Sequence, residues 1–263
     1  MKNDTLSYTS LGKGPAVLLV HGFCEDQSIW SDYAQQLSAS YHVIVTDLPG
    51  FGKSSPEFGE AVNMEYYARR LHEVLELVLK TDERVTFIGH SLGGYVALAF
   101  AELYPERLNG FSLFHSTAFP DNEEKKQSRD KVAQYIQDKG VPAFTDNFVE
   151  PLFYEGNRER LKTEIEKVKQ QAALTTKEGA VSATLAMKAR PDRTNVLKEA
   201  KVPVLFIVGK KDTAIPLETS KEQFYLPTKS LVYVLDNVGH MGMLEEKEEC
   251  LLIIKSFVEL CRQ

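Results

Sequence analysis

Short apolar runs alternate with longer amphipathic stretches along most of the chain, and this alternation constrains the fold more than any other feature. Residues 16–20, 42–47, 84–88, 110–114, 202–208 and 230–235 read as strands by length and β-branching. The run Val204, Leu205, Phe206, Ile207, Val208 has no polar alternation, as a strand covered on both faces requires. Between the runs lie helical patterns. In 63–79 the apolar positions Tyr67, Leu71, Val74, Leu75 and Val78 form one stripe. Residues 91–104 are apolar almost all round, predicting a buried helix stopped near Pro105, and 244–260 predicts a closing helix. The fold class expected is α/β: a mainly parallel, open twisted sheet flanked by helices.

One region breaks the pattern. From 118 to 196 nothing reads as a good strand. Leu161, Ile165, Val168 and Ala172 fall at helical spacing, Val181, Leu185 and Met187 suggest a second helix, and Asp121 to Glu124 mark the start of another. The organisation expected is a core domain of residues 1–117 and 197–263 carrying a helical lid at 118–196. Phe144, Phe148 and Phe153 lie in an aromatic-rich part of that insertion. They either pack it onto the core, as most large apolar residues do, or line a substrate cavity.

Composition excludes several classes. With 31 Lys+Arg against 37 Asp+Glu the net charge is -6, so the basic footprint of a nucleic-acid binder is missing. Apolar runs such as 251–254 fall far short of the roughly 18 residues of a membrane span. The opening MKNDTLSYTS has no apolar h-region, which predicts no secretory signal. Cys24, Cys250 and Cys261 are an odd, scattered set, suited to reduced thiols and a cytoplasmic location.

The chemistry is carried by Gly89, His90, Ser91, Leu92, Gly93, which follow a strand and open a helix. A nucleophile elbow needs small residues two before and two after its serine, because the turn is too tight for side chains there. The bland alternative is a helix N-cap serine. A serine nucleophile needs a base and an acid at the same sheet edge. Of six histidines, His240 sits in a glycine-containing loop beyond the last strand and can reach over the sheet; His115, ending the fourth run, is the second candidate and reads better as a pocket wall. Asp212 follows the fifth run after Gly209 and would fix the imidazole tautomer, with Asp236 as runner-up. The order Ser91, Asp212, His240 is that of G-x-S-x-G hydrolases. Backbone N–H groups of Leu92, at a helix start, and Phe23, after His21 and Gly22, can form an oxyanion hole. Two decoys fail. Gly52, Lys53, Ser54 lack the upstream glycine of a phosphate loop, since Asp47 stands there, and Gly12 to Gly14 precede a strand instead of a helix. No histidine pattern has metal spacing.

Taken in order, HGF at His21, DLPGFGKS at Asp47, GHSLGG at Gly89, GKKDTAIP at Gly209 and GHM at Gly239 resemble the α/β-hydrolase fold family, in its lid-bearing branch of small esterases and lactonases. The resemblance runs from about Gly14 to the last helix. It implies acyl transfer from a small-molecule ester to water, with no cofactor and no metal, in a monomer or homodimer. Haloalkane dehalogenases and epoxide hydrolases of this family carry Asp at the elbow; Ser91 speaks against both activities. A C–C bond hydrolase or lyase would use the same triad and would be favoured by an Arg-lined pocket; Arg129, Arg158, Arg160, Arg190 and Arg193 all lie in the insertion. A non-enzymatic binding protein on this fold would be favoured by an incomplete triad. The short stretch before Gly12 implies an absent or abbreviated N-terminal edge strand.

Overall fold

The computed structural model describes residues 6–56, 58 and 61–262. Seven strands, β1 (Tyr8–Leu11), β2 (Ala16–Val20), β3 (His42–Thr46), β4 (Val85–His90), β5 (Leu108–Phe114), β6 (Val204–Gly209) and β7 (Ser230–Leu235), form one sheet in the order β1-β3-β2-β4-β5-β6-β7. Every pairing is parallel except β1 with β3. The edge strand expected to be missing or short is present as the four residues of β1. Strands β2, β4 and β6 are buried at every position, which explains their uninterrupted apolar sequences.

Helices α1 (Ser31–Leu37), α2 (Met64–Val78) and α3 (Leu92–Leu103) alternate with the first strands. In α2 the expected stripe is the buried one, apart from the half-buried Val78, and the Asn63 side chain accepts from Tyr66 N–H at 2.7 Å to cap the helix. Positions 92–100 of α3 are all buried.

Between β5 and β6 the chain inserts five helices: α4 (Glu123–Lys139), α5 (Val141–Phe148), α6 (Lys162–Ala172), α7 (Lys177–Ala189) and α8 (Thr194–Glu199). The stripe Leu161, Ile165, Val168, Ala172 is buried as expected. In α7 Met187 is buried and Val181 half-buried as expected, but Leu185 is exposed, and Ala180, Ala183 and Thr184 complete the buried face. Small residues decide that face. Gly179 approaches Gly50 so closely that a Cβ on Gly50 would stand 2.5 Å from its Cα, and Thr176 Oγ1 donates to Gly50 O at 2.8 Å. The insertion is thereby seated on the core.

After β6 come α9 (Leu217–Lys221), then β7, α10 (Gly242–Glu245) and α11 (Lys247–Leu260). The single closing helix expected from the sequence is thus two, broken at Glu246, whose backbone is non-helical (φ -137°, ψ 64°). Among the described residues no helix is long and apolar enough to cross a membrane. From β2 the chain passes to β3 on one side and returns to β4 on the other. The crevice above the carboxyl ends of β2 and β4 is therefore the topological switch point, where open α/β sheets place their ligands.

Candidate active site

Ser91 sits between the end of β4 and the start of α3 with φ 50° and ψ -110°, a conformation that L-residues rarely adopt. The two flanking glycines are sterically required. A Cβ on Gly89 would stand 2.3 Å from Gly93 O, and one on Gly93 would stand 2.5 Å from Val20 O. Ser91 N–H donates to Phe114 O at 2.9 Å, anchoring the turn to β5.

Loops from distant strands complete the constellation. His240 Nε2 lies 2.9 Å from Ser91 Oγ, and His240 Nδ1 lies 2.8 Å from Asp212 Oδ2. Asp212 Oδ1 accepts from Ala214 N–H at 2.8 Å and Ile215 N–H at 2.9 Å. Burial alone would raise the Asp212 carboxyl. The neighbouring His240 charge and the hydrogen bonds from His115 and His240 outweigh it and hold the group well below the usual carboxylate range. Asp236, the alternative acid, is exposed and paired with Lys210.

His115 corrects the expectation of a pocket wall. It turns at the end of β5 with φ 49° and is fully buried behind the acid, its Nδ1 3.2 Å from Asp212 Oδ2. Burial, only partly offset by Asp212, pushes its pKa down to about 4, so the ring is neutral at physiological pH. The donor atoms of His115, Asp212 and His240 lie within 4.8 Å of one another, a spacing that could hold a metal ion. Asp212 Oδ2, however, already faces both rings at hydrogen-bond distance.

Two supporting networks escaped the sequence reading. His90, buried beside the nucleophile, places Nδ1 3.1 Å from Glu25 Oε2 and Nε2 2.9 Å from the His240 carbonyl oxygen. Gly22 N–H donates to the same Glu25 oxygen at 2.7 Å. One buried ion pair thus ties the loop after β2, the elbow and the His240 loop together. Burial works to raise Glu25 and to lower His90, but their mutual attraction and hydrogen bonding win, leaving Glu25 lowered and His90 raised. The second network centres on Glu245, which is 1% exposed. Its Oε1 accepts from Gly239 N–H at 2.9 Å and Met241 N–H at 3.2 Å, on either side of His240. Its Oε2 accepts from Tyr154 N–H and Asn157 Nδ2, each at 2.9 Å, fastening the insertion to the catalytic loop. His240 N–H donates to Leu152 O at 2.7 Å in the same joint.

The Glu25–His90 pair predicts a pH-dependent contribution to stability. A lowered carboxylate contributes fully above its ordinary value of 4.5, and a raised histidine contributes fully below its ordinary value of 6.5. Denaturant unfolding of Glu25→Gln should therefore show a deficit of about 3 kcal/mol between those two values. The deficit should shrink as pH falls below 4.5 or rises above 6.5. A deficit constant from pH 4 to 9 would show that the pair is not ionised.

A cavity of about 310 Å³ opens over Ser91 and His240. Phe23, Phe144 and Phe148 line it, with the Phe144 and Phe148 rings stacked at 4.8 Å and the Phe23 ring edge-on to Phe148 at 5.7 Å. Phe153 does not line it. It is 1% exposed and packs in the core, while Leu152 takes the cavity position. The reason is the 3₁₀ turn Glu150–Leu152, after which the backbone becomes extended and sends Phe153 inward. Tyr95, Met187 and Ile215, none of them assigned to a cavity from the sequence, also line it. Cys24 does not line it; buried and with its thiol pushed up by burial, it lacks the character of a nucleophile. The decoy at Gly52 to Ser54 also has a structural role: Asp47 accepts from Gln27 N–H at 2.8 Å and Lys53 N–H at 2.9 Å, closing that loop on itself.

Among the described residues, neither Phe23 N–H nor Leu92 N–H meets a protein acceptor; Leu92, at the first position of α3, has none within its helix. A serine, histidine and aspartate in one hydrogen-bonded line, with free N–H groups nearby, define a serine hydrolase. The chain belongs to the α/β hydrolase fold family, whose model matches residues 15–247. It is 31% identical to a thermophilic esterase from Thermogutta terrifontis, solved with malate bound, over 98% of this chain and 94% of that one, with a TM-score of 0.93. Lipase 1 of Psychrobacter immobilis is 27% identical, covering 97% of this chain and 80% of that protein. The enol-lactonase of Burkholderia xenovorans LB400 shares the fold at 23% identity, with a TM-score of 0.88 over 97% of this chain and 96% of that one.

Proposed function

We propose that the protein hydrolyses a carboxylic ester or lactone of a small to medium, partly apolar substrate through an acyl-enzyme on Ser91. The observation that carries this reading is the relay from Ser91 through His240 to Asp212, at 2.9 and 2.8 Å, opening on the cavity. Ser91 Oγ attacks the ester carbonyl carbon as its proton passes to His240 Nε2. The N–H groups of Phe23 and Leu92 take the developing oxyanion, a role supported by their lack of other acceptors. Collapse breaks the C–O bond, and the leaving alcohol takes the proton from His240. Water then attacks the acyl-enzyme with His240 again as base, releasing the acid and restoring Ser91. Asp212 stabilises the transient imidazolium. Phe144 and Phe148 contact the apolar part of the substrate, and residues 118–196 serve as the lid. The protein's three free cysteines support a cytoplasmic location.

The test is a panel of p-nitrophenyl esters, lactones and a vinylogous diketone, run alongside a fluorophosphonate probe. Turnover of short esters and labelling confined to Ser91 are expected. Cleavage of the diketone with no ester turnover would replace this reading by a C–C bond hydrolase on the same triad.

A further inference from the structure

The sequence of α4 is polar nearly all round, yet Lys125, Ser128, Arg129 and Val132, at i, i+3, i+4 and i+7, all line the cavity over Ser91. A lid helix would ordinarily turn an apolar stripe toward such a space. Here it turns two cations. No Asp or Glu lines the cavity among the described residues.

Lys125 Nζ donates to Ala214 O at 2.9 Å. An ammonium has three protons, and among the described residues the other two meet no acceptor and no carboxylate pairs with the group. Arg129 Nε donates to Asp121 Oδ2 at 3.1 Å, and among the described residues its terminal nitrogens meet no acceptor. Asp121 does not neutralise this wall, because it is shared: Arg190 Nη2 lies 2.8 Å from its other oxygen. Arg190 also stacks over Tyr95, a cavity residue, at 4.1 Å. Three cations therefore stand around one carboxylate on this wall; with the Asp212 carboxylate behind His240 counted as well, the local balance is +1 in a protein whose net charge is -6. Low-dielectric walls concentrate such a field on the cavity.

We propose that the cavity selects esters bearing a free carboxylate, with Lys125 and Arg129 as the groups that read it. This rests on the ester-hydrolase reading of Ser91 and names its substrate class. The aromatic wall takes the hydrocarbon spacer, and the cations take the anion. At about 310 Å³ the space is at the small end of ligand pockets, which favours short, mono-esterified dicarboxylic acids or acylated hydroxy acids.

The experiment compares kcat/KM for isosteric pairs differing only in charge. Monoethyl glutarate is set against ethyl glutaramate, and 4-acetoxybutanoate against 4-acetoxybutanamide. The first pair carries the anion on the acyl side, the second on the alcohol side, so the pair that discriminates also gives the orientation. The anionic member of one pair should be preferred by at least about tenfold, as for hydrogen bonds to charged groups. The ratio should fall toward one in Lys125→Met and be largely restored in Lys125→Arg. Equal or reversed ratios in the wild type, with both members turned over, overturn the carboxylate reading and leave the esterase reading intact. If no ester is hydrolysed, the esterase reading fails, and thermal shift decides the site: glutarate should raise the Tm of wild type but not of Lys125→Met. Glutarate failing to shift the wild type would then overturn the site as well.

Discussion

Ser91→Ala should lower kcat for a short p-nitrophenyl ester by about 10⁴-fold or more while leaving the protein folded. The hydroxyl is the group that bonds covalently to the substrate, and no neighbouring side chain can replace it. Cys24 is buried with its thiol pushed up, and Ser116 Oγ is committed to the Ser91 carbonyl oxygen at 2.8 Å. The elbow geometry adds a stability readout. Because Ser91 is held at φ 50°, Ser91→Gly should lose activity equally yet raise the unfolding free energy by about 1 kcal/mol, since glycine adopts this backbone freely. A variant retaining more than a few per cent of kcat would remove Ser91 from the chemistry. A destabilised Ser91→Gly would show that the turn is not strained.

Asp212→Asn should cost about 10⁴-fold in kcat with little change in KM. The carboxylate accepts from three donors, two backbone N–H groups on Oδ1 and His240 Nδ1 on Oδ2, and His115 Nδ1 lies 3.2 Å from the same Oδ2. An asparagine keeps its carbonyl oxygen for the two backbone donors, and its amide group then points at His115 and His240. His240 Nδ1 must accept instead of donate, its proton moves to Nε2, and it can no longer take the Ser91 proton. A change confined to KM, or a loss below tenfold, would mean that Asp212 only shapes the loop. Fluorophosphonate labelling of Ser91 should slow in parallel with kcat, which a purely structural defect in substrate binding would not produce.

The three catalytic side chains were legible because each lies at a strand's carboxyl end and carries its own local signature: glycines around Ser91, a turn after Gly209, a glycine loop before His240. His115 has a similar position but a different fate. The positive φ that carries its ring behind Asp212 leaves no mark in a histidine's neighbours. Phe153 and Leu152 could not be told apart because the segment around them has no helical or strand period to assign sides. Glu25 and Glu245 were missed for a different reason. Each reads as an ordinary surface carboxylate, and its burial depends on partners 65 residues away at His90 and about 90 residues away at Tyr154. Lys125 and Arg129 did carry a signal, an i, i+4 cation pair on the first lid helix, but such pairs usually face water.

By itself the sequence determined six of the seven strands, the elbow and the identity of the nucleophile, because apolar runs and turn sterics are written in residues close along the chain; the exposed edge strand β1 carries no such run. Only the tertiary structure decided which carboxylates brace the catalytic loop, which lid residues face the cavity and what charge that cavity holds. Those properties depend on packing and electrostatic fields summed over groups that the fold, and not the chain order, brings together.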